Sequence, residues 1–217
     1  MMDSKALKDA LALAAAKFQQ AEGRLNELDG AIGDGDHGIT MRIGFDAVRT
    51  AVGAMGDDVT PDAVLRTAGM AFMGATGGAI GVILGKALSA GGLALRGTAR
   101  VGSSEFLSML KSMENAVATA GKAKPGDKTI LDSIHAAAAV SPGADLLETM
   151  RAAYLAAERG AEETAGWQCK VGRASRLGAR AIGHPDPGAV SFSILLKALL
   201  ESVEAKAETL GETAIRH

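Results

Sequence analysis

The sequence predicts a single all-α domain, and three observations carry that expectation. Apolar residues recur at the three- and four-residue spacing of one helical face along most of the chain, with no run of period-two alternation. Capping residues, glycines and prolines cut the chain into about eight helices. The size, 217 residues and 22.0 kDa, suits one globular unit. A composition of 47% hydrophobic and 22% charged residues excludes a disordered or fibrous chain. There are 28 glycines but only 3% aromatic residues, so helices are expected to pack closely, with glycine concentrated in functional loops.

The first helix is expected over 4–21, with Leu7, Leu11, Ala14 and Phe18 on one face and a stop near Gly23. A glycine-rich loop separates it from a second helix running from Ile39 to Val52. Thr60, Pro61 and Asp62 supply an N-cap, a proline at N1 and an acid, opening a third helix that reaches Phe72. Gly77 and Gly78 break the chain before a fourth helix ending near Leu95. Ser103 or Ser104 caps a fifth, with Phe106, Leu110, Met113 and Val117 on one face, closed by Gly121. KAKPGD is a turn, and Asp127 is placed to cap the next helix. Asp145 and Glu148 form a capping box for a long helix to Thr164. A short basic stretch, Gly172 to Ile182, precedes a last helix over Ala189–Leu210, opened by Pro187-Gly188. With connections this short, neighbouring helices are antiparallel.

Charge and cysteine content exclude several functions. A net charge of −2 and a pI of about 6.1 leave no basic footprint for nucleic acid. The single cysteine, Cys169, fits a reducing compartment, so a cytoplasmic location is expected. The N-terminal stretch mimics a signal peptide, but Asp3 and Asp9 interrupt its basic region and Lys17 ends its apolar run. Thr67 to Gly85 carries no charge and is long enough to span a bilayer. Its glycines leave little hydrophobic driving force, and it reads as a helix pair broken at Gly77-Gly78 rather than a membrane span.

Four glycine-rich segments, 33–38, 77–81, 121–126 and 183–188, are where chemistry is expected. In LDGAIGDGDHG, residues 28–38, three carboxylates stand among glycines just before a helix N-terminus. Carboxylate oxygens are hard ligands for Mg²⁺, Ca²⁺ or Mn²⁺, and the glycines let them converge. Familiar templates fail here. Gly33-x-Gly35-x-x-Gly38 matches a dinucleotide fingerprint literally, but no strand precedes it and its aspartates repel a pyrophosphate. An EF-hand starting at Asp34 needs Glu where Phe45 stands. An Asp-x-Asp phosphatase needs a hydrophobic strand upstream, for which Ala31-Ile32-Gly33 is too short. Phosphate beside these aspartates therefore requires a divalent cation between them.

The second segment, residues 74–81, opens a helix with glycines and offers free N–H groups to an anion, although close helix packing explains the same glycines. Residues 121–129 nearly read as a Walker A loop, but Asp127 is one residue too many and no strand precedes it. In the fourth, Arg173, Arg176 and Arg180 can face phosphate, and two prolines and two glycines in 183–188 force a rigid turn. His135 reads as a satisfied rim histidine, Trp167 and Cys169 as packing residues, and Met109 and Met113 as core filler.

Together LDGAIGDGDHG, TGGAIG, KPGDKTILD and GRASRLGARAIGHPDPGAVS resemble the L subunit of dihydroxyacetone kinase, in order and spacing from Asp29 to the last helix. The resemblance implies an eight-helix antiparallel barrel that binds ADP or ATP. It implies that Asp29, Asp34 and Asp36 bind two Mg²⁺ ions holding the phosphates. His37, Gly38 and Thr40 then sit at the phosphate end, and Gly78, Ala79 and Ile80 line the phosphate loop. Gly121, Thr129 and Ile130 lie on the adenine side, Arg173 meets phosphate, and Asp186, Pro187 and Gly188 close over the nucleotide. The implied reaction passes a phosphoryl group to dihydroxyacetone on a separate K subunit. The donor is free ATP or, in some systems, a phosphotransferase-system protein that rephosphorylates bound ADP.

Three positions depart from the family pattern. Ile80 replaces a small hydroxyl residue, which predicts weaker nucleotide binding; Arg176 stands where an aromatic residue is frequent, and Ala136 where proline is common. Alternatives are an L-type subunit for another short ketose such as a tetrulose, a non-catalytic nucleotide-sensing subunit, and a plain Mg²⁺-binding helical scaffold.

Overall fold

The computed structural model describes residues 1–215, with side chains other than those of residues 173, 174 and 209–215. Its eight α-helices are α1 (Ser4–Ile32), α2 (His37–Gly53), α3 (Pro61–Ala75), α4 (Gly78–Ala94), α5 (Ser103–Gly121), α6 (Ile130–Ala138), α7 (Leu146–Glu163) and α8 (Pro187–Ile215). Each packs on its neighbours in the chain, and α8 returns to α1 to close the ring. Two 3₁₀ turns, Thr164–Gly166 and Arg173–Ala181, lie in a strap between α7 and α8. The one β-type contact among the described residues is an isolated bridge between Met2 and Val101, which pins the N-terminus to the α4–α5 connection.

An up-and-down ring puts alternate connections at the same end. The α1–α2, α3–α4, α5–α6 and α7–α8 links, which contain the four glycine-rich segments, therefore meet at one end of the barrel. The core behind them is dominated by aliphatic residues and a phenylalanine cluster, one pair stacked and the next edge-to-face. Phe18 of α1, Phe45 of α2 and Phe72 of α3 are fully buried, with successive ring centroids 4.4 and 5.4 Å apart. Small residues set helix spacing: a Cβ at Gly69 of α3 falls 2.5 Å from the Gly85 carbonyl of α4, so those backbones touch.

Several boundaries differ from expectation. α1 does not stop at Gly23 but continues to Ile32. A mid-helix glycine costs about 1 kcal/mol, and the fully buried Leu25 beyond it outweighs that cost. Asp29 is therefore held in the last turn of a helix, not in a loop. α2 begins at His37, and α8 runs from Pro187 to Ile215, longer than predicted at both ends. α6 is capped not by Asp127 but by Thr129, whose hydroxyl accepts from Leu131 N while Asp132 accepts from Thr129 N. Asp127 folds back to accept from Lys124 N. Asp145 caps α7 as expected, but the Glu148 carboxylate accepts from Ala144 N, one residue earlier than a full capping box requires. Among the described residues no helix is long and apolar enough to cross a membrane.

Candidate functional site

The acidic loop is organised by Asp29. Its Oδ2 accepts from the backbone N–H groups of Gly35, Asp36 and His37 at 2.8, 3.1 and 3.3 Å. That fan of bonds folds 33–36 back over the end of α1. Gly35 turns there with φ +81°, a conformation L side chains resist. Gly33 leaves room for the acid: a Cβ there falls 2.3 Å from Asp29 Oδ1. Asp29, Asp34 and Asp36 consequently each offer a carboxylate oxygen within 4.8 Å of the others. Asp29 is half-buried and the other two are exposed. Three converging hard oxygens fit Mg²⁺, which takes a few carboxylates and completes its shell with water or phosphate.

Above this cluster lies a polar cavity of about 500 Å³, lined by the three aspartates, His37, Thr40, Gly77, Gly78, Ala79 and Ile80. Two helices open onto it, and no side chain of the N-cap residue closes either: α2 after Asp36 and α4 after Gly77. The first N–H groups and positive dipole end of α4 favour an anion, whereas on α2 the N–H groups of His37 and Ile39 already bond Asp29 Oδ2 and Asn26 Oδ1 and only its dipole end remains to do so. Gly78 holds φ +73° at the entry to α4. Ile80 sits on this wall with its side chain half-buried against the core.

His37 is 8% exposed, and its Nε2 lies 2.8 Å from Ser191 Oγ of α8. The Ser191 hydroxyl donates to the Pro187 carbonyl, so the imidazole is the donor, protonated at Nε2. Burial pulls its pKa down to about 4, only partly opposed by the nearby Asp29 charge, so the ring is neutral. His37 thus ties the start of α2 to the start of α8. Gly38 lines neither this cavity nor the next. It is buried against α1, where a Cβ falls 2.1 Å from the Glu22 carbonyl.

The polar cavity shares Asp29, Asp34 and Ala79 with a second cavity of about 370 Å³. Its walls are mostly apolar: Ile32, Ile83, Val117, Ala120, Gly121, Ala123, Ile130, Val171 and Pro187, with Thr129, Lys128, Gly172 and Asp186 among them. Asp186 accepts from Ala189 N at 2.7 Å and caps α8, while its own N–H donates to Thr164 Oγ1 at 2.8 Å. Burial pushes its carboxyl up to about 7, aided by the Asp132 and Asp29 charges and opposed by Ala189 N–H and Lys128. Gly188 seats the first turn of α8 on α6, with a Cβ there 3.1 Å from Ile130 Cβ.

The structure therefore gathers fifteen of the expected site residues around two joined cavities: thirteen line them directly, Asp36 and Thr40 among them on the phosphate-side wall, and Gly38 and Gly188 pack behind them. The Arg173 side chain lies outside the described residues. Arg176 is exposed on the strap, and Ala136 packs against Gly160 of α7. His135 is a rim residue bonded through Nδ1 to Glu114. Sequence reasoning missed Ile83, Val117, Val171 and Lys128, because apolar or isolated residues far apart in the chain carry no motif. It also missed Asn26, whose side chain accepts from Ile39 N at the start of α2.

The DAK2 domain family matches residues 31–201. The chain is 36% identical over 210 residues to a Listeria innocua protein named PEP-dependent dihydroxyacetone kinase 2, ADP-binding subunit DhaL, covering 94% of this chain and 97% of that one. It is 34% identical to human triokinase/FMN cyclase over 85% of its own length and 32% of that protein's. The crystal structure of the dihydroxyacetone kinase from C. freundii in complex with AMP-PNP and Mg²⁺ superposes with a TM-score of 0.66 at 27% identity, over 90% of this chain and 33% of that one. The chain thus spans nearly all of the bacterial subunit and about a third of the longer kinases. It belongs to the DAK2 domain family.

Proposed function

We propose, from that membership and the geometry of the two cavities, that the chain is the ADP-binding subunit of a dihydroxyacetone kinase. Relatives that are named kinases favour catalysis over a sensing or scaffold role. One observation carries the reading: three convergent carboxylates and the open N-terminus of α4 share a polar cavity that runs into an apolar one.

In this reading Asp29, Asp34 and Asp36 hold two Mg²⁺ ions, and the N–H groups of the first turn of α4, with the dipole end of α2 opposite, receive the phosphates of ADP or ATP. Bound Mg²⁺ neutralises charge on the phosphates and so permits them to lie beside three aspartates. Thr40, Gly78 and Ala79 orient the phosphate chain. Ile80 contributes backbone N–H but no hydroxyl. The base lies between Ile83, Gly121, Thr129 and Ile130, with Asp186 and Pro187 across from it. Neutral His37 fixes the relative position of α2 and α8 and shuttles no proton at neutral pH. The chain's contribution to phosphoryl transfer is positioning and electrostatics. The acceptor, dihydroxyacetone, is held by a separate K subunit facing the polar cavity, and that partner sets the sugar preference. The donor is a phosphotransferase-system protein that rephosphorylates bound ADP, and the setting is cytoplasmic.

Calorimetric titration of ADP and ATP with and without Mg²⁺ tests the site. Binding that requires Mg²⁺ supports it, and no binding in the presence of Mg²⁺ overturns it. Slow release of ADP supports the phosphotransferase donor, whereas ready exchange with free ATP points to ATP itself.

A further inference from the structure

Lys128 has no part in the reading above, yet it is among the largest fully buried side chains, at 2% exposure. A lysine is almost never buried without partners, because desolvating its ammonium is costly. Here Nζ donates to two backbone carbonyls, Trp167 O at 3.0 Å and Ala181 O at 2.6 Å. Those carbonyls stand at the two ends of the strap between α7 and α8. The lysine backbone is itself in the left-handed region, at φ +63°. A non-glycine residue stays there only where its surroundings hold it.

The same α5–α6 loop grips the strap a second time. Lys170 N donates to Asp127 O at 3.1 Å, and Lys170 Nζ donates to Gly126 O at 2.7 Å. The neck of the strap is closed by Gly183 N donating to Ala165 O at 2.8 Å. Apolar support is slight: Cys169, Ala181 and Leu177 of the strap form only a small satellite cluster with Ile32, separate from the main core. Yet the strap supplies Val171 and Gly172 to the wall of the apolar cavity. The wall therefore stays in place through backbone hydrogen bonds from one buried and one exposed lysine rather than through packing.

We propose that Lys128 is a positioning residue that clips the strap across the apolar cavity and so sets how long a nucleotide stays bound. This rests on the reading of the cavity as a nucleotide site. A buried charge spent on two main-chain carbonyls fixes backbone and touches no reacting atom, which is why the expected effect falls on release and not on chemistry.

The test uses the full chain with Mg²⁺ and ADP carrying a fluorescent ribose label. Lys128→Met keeps the aliphatic stem and removes both Nζ bonds. It is expected to release the nucleotide about tenfold faster or more, with the association rate little changed. Amide hydrogen exchange is expected to rise in residues 165–183 and to stay unchanged in α1–α5. Lys170→Met removes the Nζ bond to Gly126 O and the 4.0 Å ion pair to Asp127 from a side chain that is 58% accessible; circular dichroism and Tm are checked alongside, and a smaller rise in release rate is expected. Faster strap exchange with unchanged release in both variants overturns the proposal. Faster exchange throughout Lys128→Met, together with unchanged release from Lys170→Met, assigns Lys128 a purely structural role and overturns it equally. Failure of the wild-type chain to bind ADP overturns the nucleotide reading, and this inference with it.

Discussion

The polar cavity draws its walls from two short stretches, 29–40 and 77–80, whereas the apolar cavity beside it collects residues scattered between positions 29 and 187. The first is built by local turn chemistry: one carboxylate, Asp29, receives three successive N–H groups and folds its own loop. The second exists only because the ring closes and a strap is pinned across it by Lys128 and Lys170. The contrast separates two tasks. Charge on the phosphates is met by groups whose spacing is written into a dozen residues. The base is met by a surface that no single segment contains.

The largest effect expected on this contrast is from Asp36→Asn. The Asp36 side chain makes no capping bond to α2, so the variant should keep its helical circular dichroism while losing Mg²⁺-dependent ADP binding. We expect a loss on the order of a thousand-fold, about 4 kcal/mol, in calorimetric titration. Unfolding, or an unchanged ADP affinity, removes the metal assignment.

Next in size is a pH effect on the contact that joins the two halves. His37 is pulled from 6.5 down to about 4 in the folded chain. Between those values the unfolded chain takes up a proton that the folded one refuses. The stability this neutral histidine contributes is therefore complete above pH 6.5 and is lost as pH falls toward 4, by up to about 3 kcal/mol. Asp186, pushed up to about 7, titrates in the opposite sense, but it is common to wild type and His37→Gln. Urea melts from pH 4 to 8 should show the wild type losing stability relative to His37→Gln on acidification; a constant difference contradicts the buried neutral imidazole.

Ile83→Ala sharpens the comparison directly. Ile83 lines only the apolar cavity, so ADP should bind about fivefold to tenfold more weakly while Mg²⁺-pyrophosphate binds as before. Equal losses for both ligands would mean that the cavities do not divide base from phosphate. The smallest effect is a gain. Ile80→Ser restores a hydroxyl at the phosphate loop and should tighten ADP about fivefold, near 1 kcal/mol. Because Ile80 also packs on the core, a small drop in Tm should accompany it, and tighter binding without that drop would place the residue outside the packed wall.

How much could be read beforehand follows the same division. Thr60-Pro61-Asp62 and Asp145 marked helix starts, and both start helices in the structure: Asp145 by accepting from Glu148 N, and Pro61 by its fixed φ at N1, since the Thr60 hydroxyl turns to Asp62 and makes no cap bond. Gly23 misled, because propensity is weaker than the burial of Leu25 two residues on. Asp127 misled as a cap, because Thr129 and Asp132 satisfy the same N–H groups more closely. The aspartate cluster was legible as a possible metal site, since Asp29, Asp34 and Asp36 sit within one loop's reach of each other.

The amino-acid order alone determined helices, their short antiparallel links and the acidic loop, all of which depend on contacts a few residues apart. Only the tertiary structure decided that the four glycine-rich links share one end, a consequence of ring closure between α8 and α1. Only it could assemble the apolar cavity, bury a neutral His37 beside Ser191 and bury Lys128 beneath the strap. Burial and long-range hydrogen bonds set those properties, and neither leaves a periodic trace in the sequence.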